Sequence, residues 1–145
     1  MYTHLLIATD GSELAKKAVD QALALAKVLT AKVTAAMVTE PWASAAYGEM
    51  GYGFPIDDYE RNAADIAADI LANVSDAAKT AGVACETVHI KDRYPAEGII
   101  AAAKQHGCDL IVMASHGRRG LSRLMLGSQA NKVVTMSTIP VLICR

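Results

Sequence analysis

Residues 109–120 read DLIVMASHGRRG, and this stretch decides which fold the chain can adopt. Four apolar residues, 110–113, stand between an aspartate and a segment of serine, glycine and arginine. A short apolar run bounded by turn-forming residues is typical of a strand that is buried on both faces in the middle of a parallel sheet. The stretch therefore predicts a central strand whose carboxyl end opens into a polar loop.

Outward from this strand, further strands alternate with helices. Apolar or alternating runs predict four more strands, at residues 5–8, 32–40, 83–91 and 141–143. Apolar residues at helical spacing predict four helices, which begin near Ser12, Asp57, Pro95 and Ser128 and end near Leu29, Gly82, Gly107 and Thr135. Ser12 and Ser128 are the predicted caps of the first and last helix. Residues 42–55 contain three glycines and no helical period, and are predicted to form a loop or lid.

The alternation of strands and helices predicts the fold class. Consecutive parallel strands need crossover connections, and helices in those connections cover the two faces of the sheet. The sequence thus predicts one three-layer α/β domain, residues 1–145, with a five-stranded parallel sheet. Ligands of such sheets bind outside the carboxyl ends of the strands, where the strand order reverses.

Composition narrows the function classes. The chain has 145 residues, 52% of them hydrophobic, and a net charge of −1. No apolar run reaches the roughly 20 residues that a membrane helix needs, and the first residues lack the pattern of a signal peptide, so we expect a cytoplasmic protein without a membrane partner. The charge balance gives no reason to expect nucleic acid. The three cysteines are scattered and predict reduced core thiols.

The loop after the central strand has two properties that suit phosphate. Its glycines let the backbone approach an anion closely, and it ends at a helix start, where free N–H groups favour negative charge. Ser128 adds a hydroxyl, and Arg118, Arg119 and Arg123 add positive charge. A solvated basic loop, with glycines that serve only its turns, explains the same residues equally well.

The end of the first strand, residues 8–12 with the sequence ATDGS, is a second candidate. Asp10 follows an apolar run, where parallel sheets place carboxylates that face a ligand, and it suits a ribose or a magnesium ion. An aspartate that caps the following helix is the equally good alternative. The chain has no P-loop and no G-x-G-x-x-G after its first strand, and its four histidines have no metal-ligand spacing. We therefore expect no catalytic residue and no metal held by protein groups alone.

Three segments together resemble the universal stress protein family over essentially the whole chain. They are ATDGS at 8–12, DLIVMASHGRRGL at 109–121, and LGS at 126–128 followed by a helix and IPVLI at 139–143. The ATP-binding branch of that family carries G-x2-G-x9-G-[ST]. Gly117, nine further residues and Gly127-Ser128 match its second half, and Ala114 stands where the first glycine would be.

The resemblance implies sheet order 3-2-1-4-5, a homodimer joined through the last strand (residues 139–144), and an adenine nucleotide lying across strands one and four. It implies ATP, ADP or AMP, with magnesium. Asp10 would lie by the ribose and adenine, and the backbone of Val38 would contact adenine. Phosphates would be held by Gly117, Gly127, Ser128 and the backbone N–H of Gln129, and Ala114 would pass beside the ribose. The full set of expected nucleotide-binding residues is Ala8, Thr9, Asp10, Val38, Met113, Ala114, His116, Gly117, Arg118, Gly127, Ser128 and Gln129.

Ala114 is the departure from the motif. A methyl there costs little if the backbone φ is negative and much if it is positive, so we expect weakened rather than abolished binding. The leading hypothesis is an ATP-binding regulatory protein of the stress response, dimeric, with at most slow hydrolysis because no general base is evident. A dimeric interaction protein that binds no nucleotide is the alternative, with a protein partner of unknown identity. A slow ATPase or phosphotransferase that uses Asp10 and magnesium is the third.

Overall fold

A computed structural model describes residues 1–47, 53–118 and 125–145. Its elements, in chain order, are β1 His4–Ala8, α1 Glu13–Leu29, β2 Lys32–Val38, α2 Trp42–Tyr47, α3 Ile56–Ala81, β3 Cys85–Ile90, α4 Pro95–Gln105, β4 Leu110–Ala114, α5 Ser128–Met136 and β5 Val141–Cys144. The strands form one parallel sheet of order β3-β2-β1-β4-β5. The predicted α/β class, strand number and strand order are confirmed.

Two hydrophobic cores lie on opposite faces of the sheet, because successive side chains of a strand point to opposite faces. On one face, Leu5 and Ile7 of β1 pack among the apolar sides of α1 and α3. On the other, Leu6 and Ala8 pack with α4 and α5. All five residues of β1 and of β4 are buried, so this strand pair is the centre of the three layers.

Ser12 caps α1 as predicted, because its side chain accepts a hydrogen bond from the Ala15 N–H at 3.2 Å. The predicted cap at Ser128 is wrong. Gly127 is the cap residue of α5, Ser128 is the first helical residue, and no side-chain hydrogen bond caps this helix in the part of the chain that is described. The Ser128 hydroxyl therefore stays exposed at the helix start.

The prediction for residues 42–55 is wrong in its first half, which forms the short helix α2. Ala43, Ala45 and Ala46 have high helix propensity, and Pro41 precedes the first helical turn, where proline is tolerated. The glycines that suggested a loop lie after this helix. The Trp42 indole N–H donates to the Phe54 carbonyl at 2.9 Å and joins α2 to the start of α3.

Among the described residues, no helix is long and apolar enough to cross a membrane. Within the same residues, no cluster of three or more histidine, cysteine or acidic side chains is arranged to hold a metal ion. Cys108 and Cys144 are buried and Cys85 is half-buried, and none forms a disulfide. Burial raises the pKa of the Cys108 thiol to about 11.

Candidate functional site

The carboxyl edge of the sheet brings the ends of β1 and β4 side by side. Ala8 pairs with Met113 in the parallel register, so the residues that follow both strands leave the sheet next to each other. The Thr9 N–H extends the β1 ladder by donating to the Ala36 carbonyl at 3.0 Å. Gly11 then takes a φ of +76°, a left-handed conformation that favours glycine and lets the chain turn into α1.

Asp10 contacts both segments through its side chain. Its Oδ1 accepts a hydrogen bond from the Ser12 N–H at 3.0 Å, and its Oδ2 accepts one from the Arg118 N–H at 2.9 Å. The first bond supports the turn before α1, which is the structural role considered for this residue. The second bond joins the end of β1 to the loop after β4, a contact that no local sequence pattern predicts.

The two motif glycines stand where a side chain has no room. A Cβ on Gly117 would lie 2.6 Å from Asp10 Oδ2, and a Cβ on Gly127 would lie 2.8 Å from the Ser115 carbonyl oxygen. Neither glycine has a positive φ. Glycine is therefore needed at both positions because other residues approach closely. The backbone conformation alone would not require it.

Ser115 anchors the first part of the loop, and it was not among the predicted site residues. It is 2% exposed, and its N–H donates to the Cys144 carbonyl at 2.8 Å. Its carbonyl accepts from the Gly127 N–H at 2.8 Å, which fixes the start of α5 beside the end of β4. Its hydroxyl lies 3.0 Å from His116 Nδ1. Its position directly after an apolar strand was the signal that could have found it.

The start of α5 is also joined to α4. Gln129 was predicted to contribute its backbone N–H, and its side chain has a separate role, because Oε1 accepts from the Ala96 N–H at 3.2 Å. The first N–H groups of any helix have no partner within the helix. At α5 these groups belong to Ser128 and its neighbours and lie beside the Ser115–Gly127 contact.

Ala114 is the last residue of β4, where it pairs with Cys144. It is 7% exposed. Among the described residues other than glycine, only Thr30 and Asp92 have a positive φ. Ala114 therefore has an ordinary extended backbone, and its methyl group imposes no conformational strain on the strand.

Arg118 lies over the turn after β1. A Cβ added to Gly11 would come within 3.4 Å of its Nη2 and within 2.5 Å of the Ile70 side chain. The Arg118 guanidinium thus supplies positive charge at this edge of the sheet. The other two predicted basic residues, Arg119 and Arg123, lie outside the described residues.

Val38 ends β2, on the other side of β1 from the loop. Its side chain packs against Gly98 of α4, where an added Cβ would lie 2.9 Å from Val38 Cγ1. The next residue, Thr39, places its hydroxyl 2.6 Å from His89 Nε2. Burial, with a smaller effect of the Lys91 charge, lowers the pKa of His89. A shallow groove that the sequence did not predict lies beyond this strand end, between Trp42, Tyr59 and the residues around Lys91.

The predicted site residues accordingly occupy one edge of the molecule, and the described contacts join several of them directly. Asp10, Gly117 and Arg118 form one group, and His116 and Gly127 form another through Ser115. Val38 is the last residue of the neighbouring strand β2, where it pairs with Ile90 of β3 rather than with either group. A parallel sheet whose strand order reverses between β1 and β4, with a glycine-bearing loop at that point, is the arrangement in which α/β proteins commonly bind a ligand.

The family follows from comparison with known proteins. The model of the universal stress protein family matches residues 1–145, and the chain belongs to that family. Universal stress protein YxiE of Bacillus subtilis is 35% identical to it over an alignment that covers 100% of both chains.

Two solved structures show the same fold. Protein MJ0577, a universal stress protein of Methanocaldococcus jannaschii, is 25% identical, with a TM-score of 0.84 over 99% of this chain and 96% of that one. A universal stress protein solved in complex with cAMP is 26% identical, with a TM-score of 0.70 over 99% of this chain and 97% of that one. The second protein binds an adenine nucleotide.

Proposed function

We propose that this universal stress protein binds ATP, or ADP or AMP, with magnesium, at the carboxyl edge of its sheet, and acts as a regulatory protein. The whole chain, residues 1–145, would serve as one nucleotide-binding domain. The observation that carries the proposal is the convergence of Asp10, Gly117 and Gly127 around the end of β4. The relative solved with cAMP supports an adenine nucleotide as the ligand class.

The phosphates would bind at the start of α5. The Gly127 N–H already donates to the Ser115 carbonyl, so the phosphate donors would be the N–H groups of Ser128 and Gln129 and the exposed Ser128 hydroxyl. Helix N-termini favour anions because their N–H groups and dipole point at the ligand. The Arg118 guanidinium, which lies over the neighbouring turn, would add positive charge.

The ribose and base would extend from Asp10 toward Val38. Among the described residues, each Asp10 oxygen accepts one backbone hydrogen bond, and a second lone pair on either oxygen would accept one from a ribose hydroxyl. The carbonyl and N–H of Val38, at the end of β2, would face the adenine. Magnesium would be held chiefly by phosphate oxygens and water, with Asp10 as the nearby carboxylate. The ordinary backbone of Ala114 supports a weakened site rather than an abolished one.

Calorimetric titration with ATP and magnesium tests the proposal. We expect micromolar binding by the parent protein and none by Gly127→Val, because the branched side chain would meet the Ser115 carbonyl and displace the loop. Ala24→Val is the matched control. It places the same valine side chain at an exposed position of α1 and should bind like the parent. A parent that shows no heat and carries no nucleotide in its acid extract would instead be an interaction protein.

We also propose that the protein is a homodimer joined through residues 139–144. β5 is an edge strand, and Leu142 on it is 40% exposed. Val134 and Met136 of α5, the helix that packs beside this strand, are also about half exposed. Sedimentation should show a dimer for the parent and a monomer for Leu142→Glu, since a buried carboxylate at the junction is costly. A dimer that survives Leu142→Glu would place the junction elsewhere.

A further inference from the structure

The side chain of Asp10 connects two segments that are 108 residues apart in the chain. Its two oxygens accept different backbone N–H groups, Ser12 on one side and Arg118 on the other. Hydrogen bonds from N–H groups to an ionised carboxylate are roughly twice as strong as those between neutral groups. Both carboxylate oxygens are thus engaged within the protein itself, in geometry that needs no ligand.

Gly117 gives a second, independent observation of the same contact. The backbone there has no positive φ, and an added Cβ would lie 2.6 Å from Asp10 Oδ2 and 3.7 Å from its Cγ. Among the described residues, no other atom lies within 4 Å of that position, apart from chain neighbours. In this part of the chain, the Asp10 carboxylate is what calls for glycine at residue 117.

We infer that Asp10 is a positioning residue that docks the loop after β4 onto the end of β1, and that Gly117 is glycine because it receives this carboxylate. The role is distinct from ligand contact. It would set the separation between the base end and the phosphate end of the site before any nucleotide arrives. Only this last consequence rests on the function proposed above.

Gly127 provides the contrast that makes the inference testable. Among the described residues, the three atoms nearest to its added Cβ are the Ser115 carbonyl oxygen and two atoms of His116, and none belongs to Asp10. Removing the Asp10 carboxylate should therefore make room for a methyl group at 117 and leave the obstruction at 127 unchanged. A double-mutant cycle separates these two cases.

The cycle compares the parent with Asp10→Ala, Gly117→Ala and the double variant, by denaturant unfolding without nucleotide. Each single substitution multiplies the folded-to-unfolded ratio of the parent by a factor. We expect the ratio of the double variant to be about ten times larger than the product of these two factors would give. A coupling of this size is within the range for residues in contact. The cycle of Asp10→Ala with Gly127→Ala should be additive. If Asp10→Ala does not fold, Asp10→Ser, which also removes the carboxylate, takes its place. Additivity in the Gly117 cycle would overturn the inference.

Amide hydrogen exchange at Arg118 gives a readout that general destabilisation does not move. In Asp10→Ala this N–H loses its acceptor and should exchange about tenfold faster under native conditions, whereas the remote variant Ala24→Val should leave it unchanged. Asp10→Asn keeps one acceptor oxygen and should restore part of the protection. An unchanged Arg118 rate in Asp10→Ala would overturn the docking role. Neither measurement uses nucleotide, so both outcomes are independent of whether the parent binds ATP.

Discussion

Two aspartates join β1 to residues next to β4. Asp109 lies at the amino edge of the sheet, where the strands begin, and Asp10 lies at the carboxyl edge, where they end. At the amino edge, Asp109 accepts hydrogen bonds from the Thr3 N–H at 2.8 Å, the Thr3 hydroxyl at 2.9 Å and the His4 N–H at 3.0 Å. At the carboxyl edge, Asp10 accepts from Ser12 and Arg118. Both carboxylates therefore join neighbouring segments, and an aspartate at a strand end is not by itself a sign of a ligand.

The two carboxylates differ in the side chains that surround them. Beside Asp109, the buried His4 ring lies 2.8 Å from the hydroxyl of the fully buried Thr34, so side chains fill the amino edge. Beside Asp10 stands Gly117, which has no side chain, and α5 begins nearby without a side-chain cap in the described residues. The amino edge should therefore contribute mainly stability. The carboxyl edge carries the proposed nucleotide site, and the free energy of unfolding is a common scale for comparing the two edges.

The largest expected effect is that of Asp109→Ala. It removes the acceptor of three hydrogen bonds, each worth about 1 kcal/mol net at a partly exposed site, so we expect a loss of about 3 kcal/mol in the free energy of unfolding. Urea unfolding measures it, and ATP affinity measured on the folded variant should equal that of the parent. Asp109→Asn, which keeps one acceptor oxygen, should lose less. A large fall in ATP affinity would contradict the expectation that the amino edge contributes stability and the carboxyl edge binds the nucleotide.

Thr34→Val should have the next largest effect. The substitution keeps the side-chain shape but leaves the His4 ring nitrogen buried without its partner, at a cost of about 2 kcal/mol. Thr34→Ser keeps the hydroxyl and is the control, expected to lose less. Thermal or urea unfolding of the two variants measures the difference. A larger loss in Thr34→Ser than in Thr34→Val would mean that the methyl group of Thr34, rather than its hydrogen bond, matters at the amino edge.

A smaller effect concerns pH. Burial, and secondarily the Lys32 charge, lowers the pKa of His4, although Glu86 and Asp109 act in the opposite direction and His106 adds to the lowering. The unfolded chain therefore binds a proton more readily than the folded one, and stability falls as pH drops below the unfolded value of about 6.5. We expect the free energy of unfolding to decrease from pH 7 to pH 5, and less steeply in His4→Gln. Parallel curves for the two proteins would show that other groups control this range.

The sequence predicted much of the fold because the relevant signals are local. The apolar run at 110–113 and the Ser12 cap depend on neighbouring residues, and both are confirmed. The strand order could not be obtained from periodicity, which is silent about which strands are neighbours, and it came from the family resemblance. The helix at Trp42–Tyr47 was missed because three glycines later in that segment outweighed the alanines within it.

The candidate site was predictable only in its outline. Asp10, Gly117 and Gly127 were expected at one edge, since parallel strands end together. The contacts that arrange them were not, because they join residues far apart in the chain. The bond between Asp10 and Arg118 is one example, and that between the Gln129 side chain and Ala96 is another. The Thr39–His89 contact depends in the same way on the pairing of β2 with β3.

Ser128→Ala should cause the smallest change in stability. It is also the sharpest test of the difference between the amino and carboxyl edges. The hydroxyl is exposed, so its removal should change the free energy of unfolding by less than about 0.5 kcal/mol. ATP affinity should fall about tenfold, because a hydrogen bond to a charged phosphate contributes roughly 1.5 kcal/mol. Calorimetry and urea unfolding on the same preparation give both numbers.

Ser128→Thr keeps the hydroxyl and should bind ATP nearly as well as the parent, which separates loss of the donor from disturbance of α5. The opposite pattern, a loss of more than about 1 kcal/mol in stability with unchanged affinity, would mean that the start of α5 is a structural junction like the amino edge. The two aspartates would then have equivalent roles, and a glycine beside a carboxylate would not distinguish a ligand site from a structural contact in this protein.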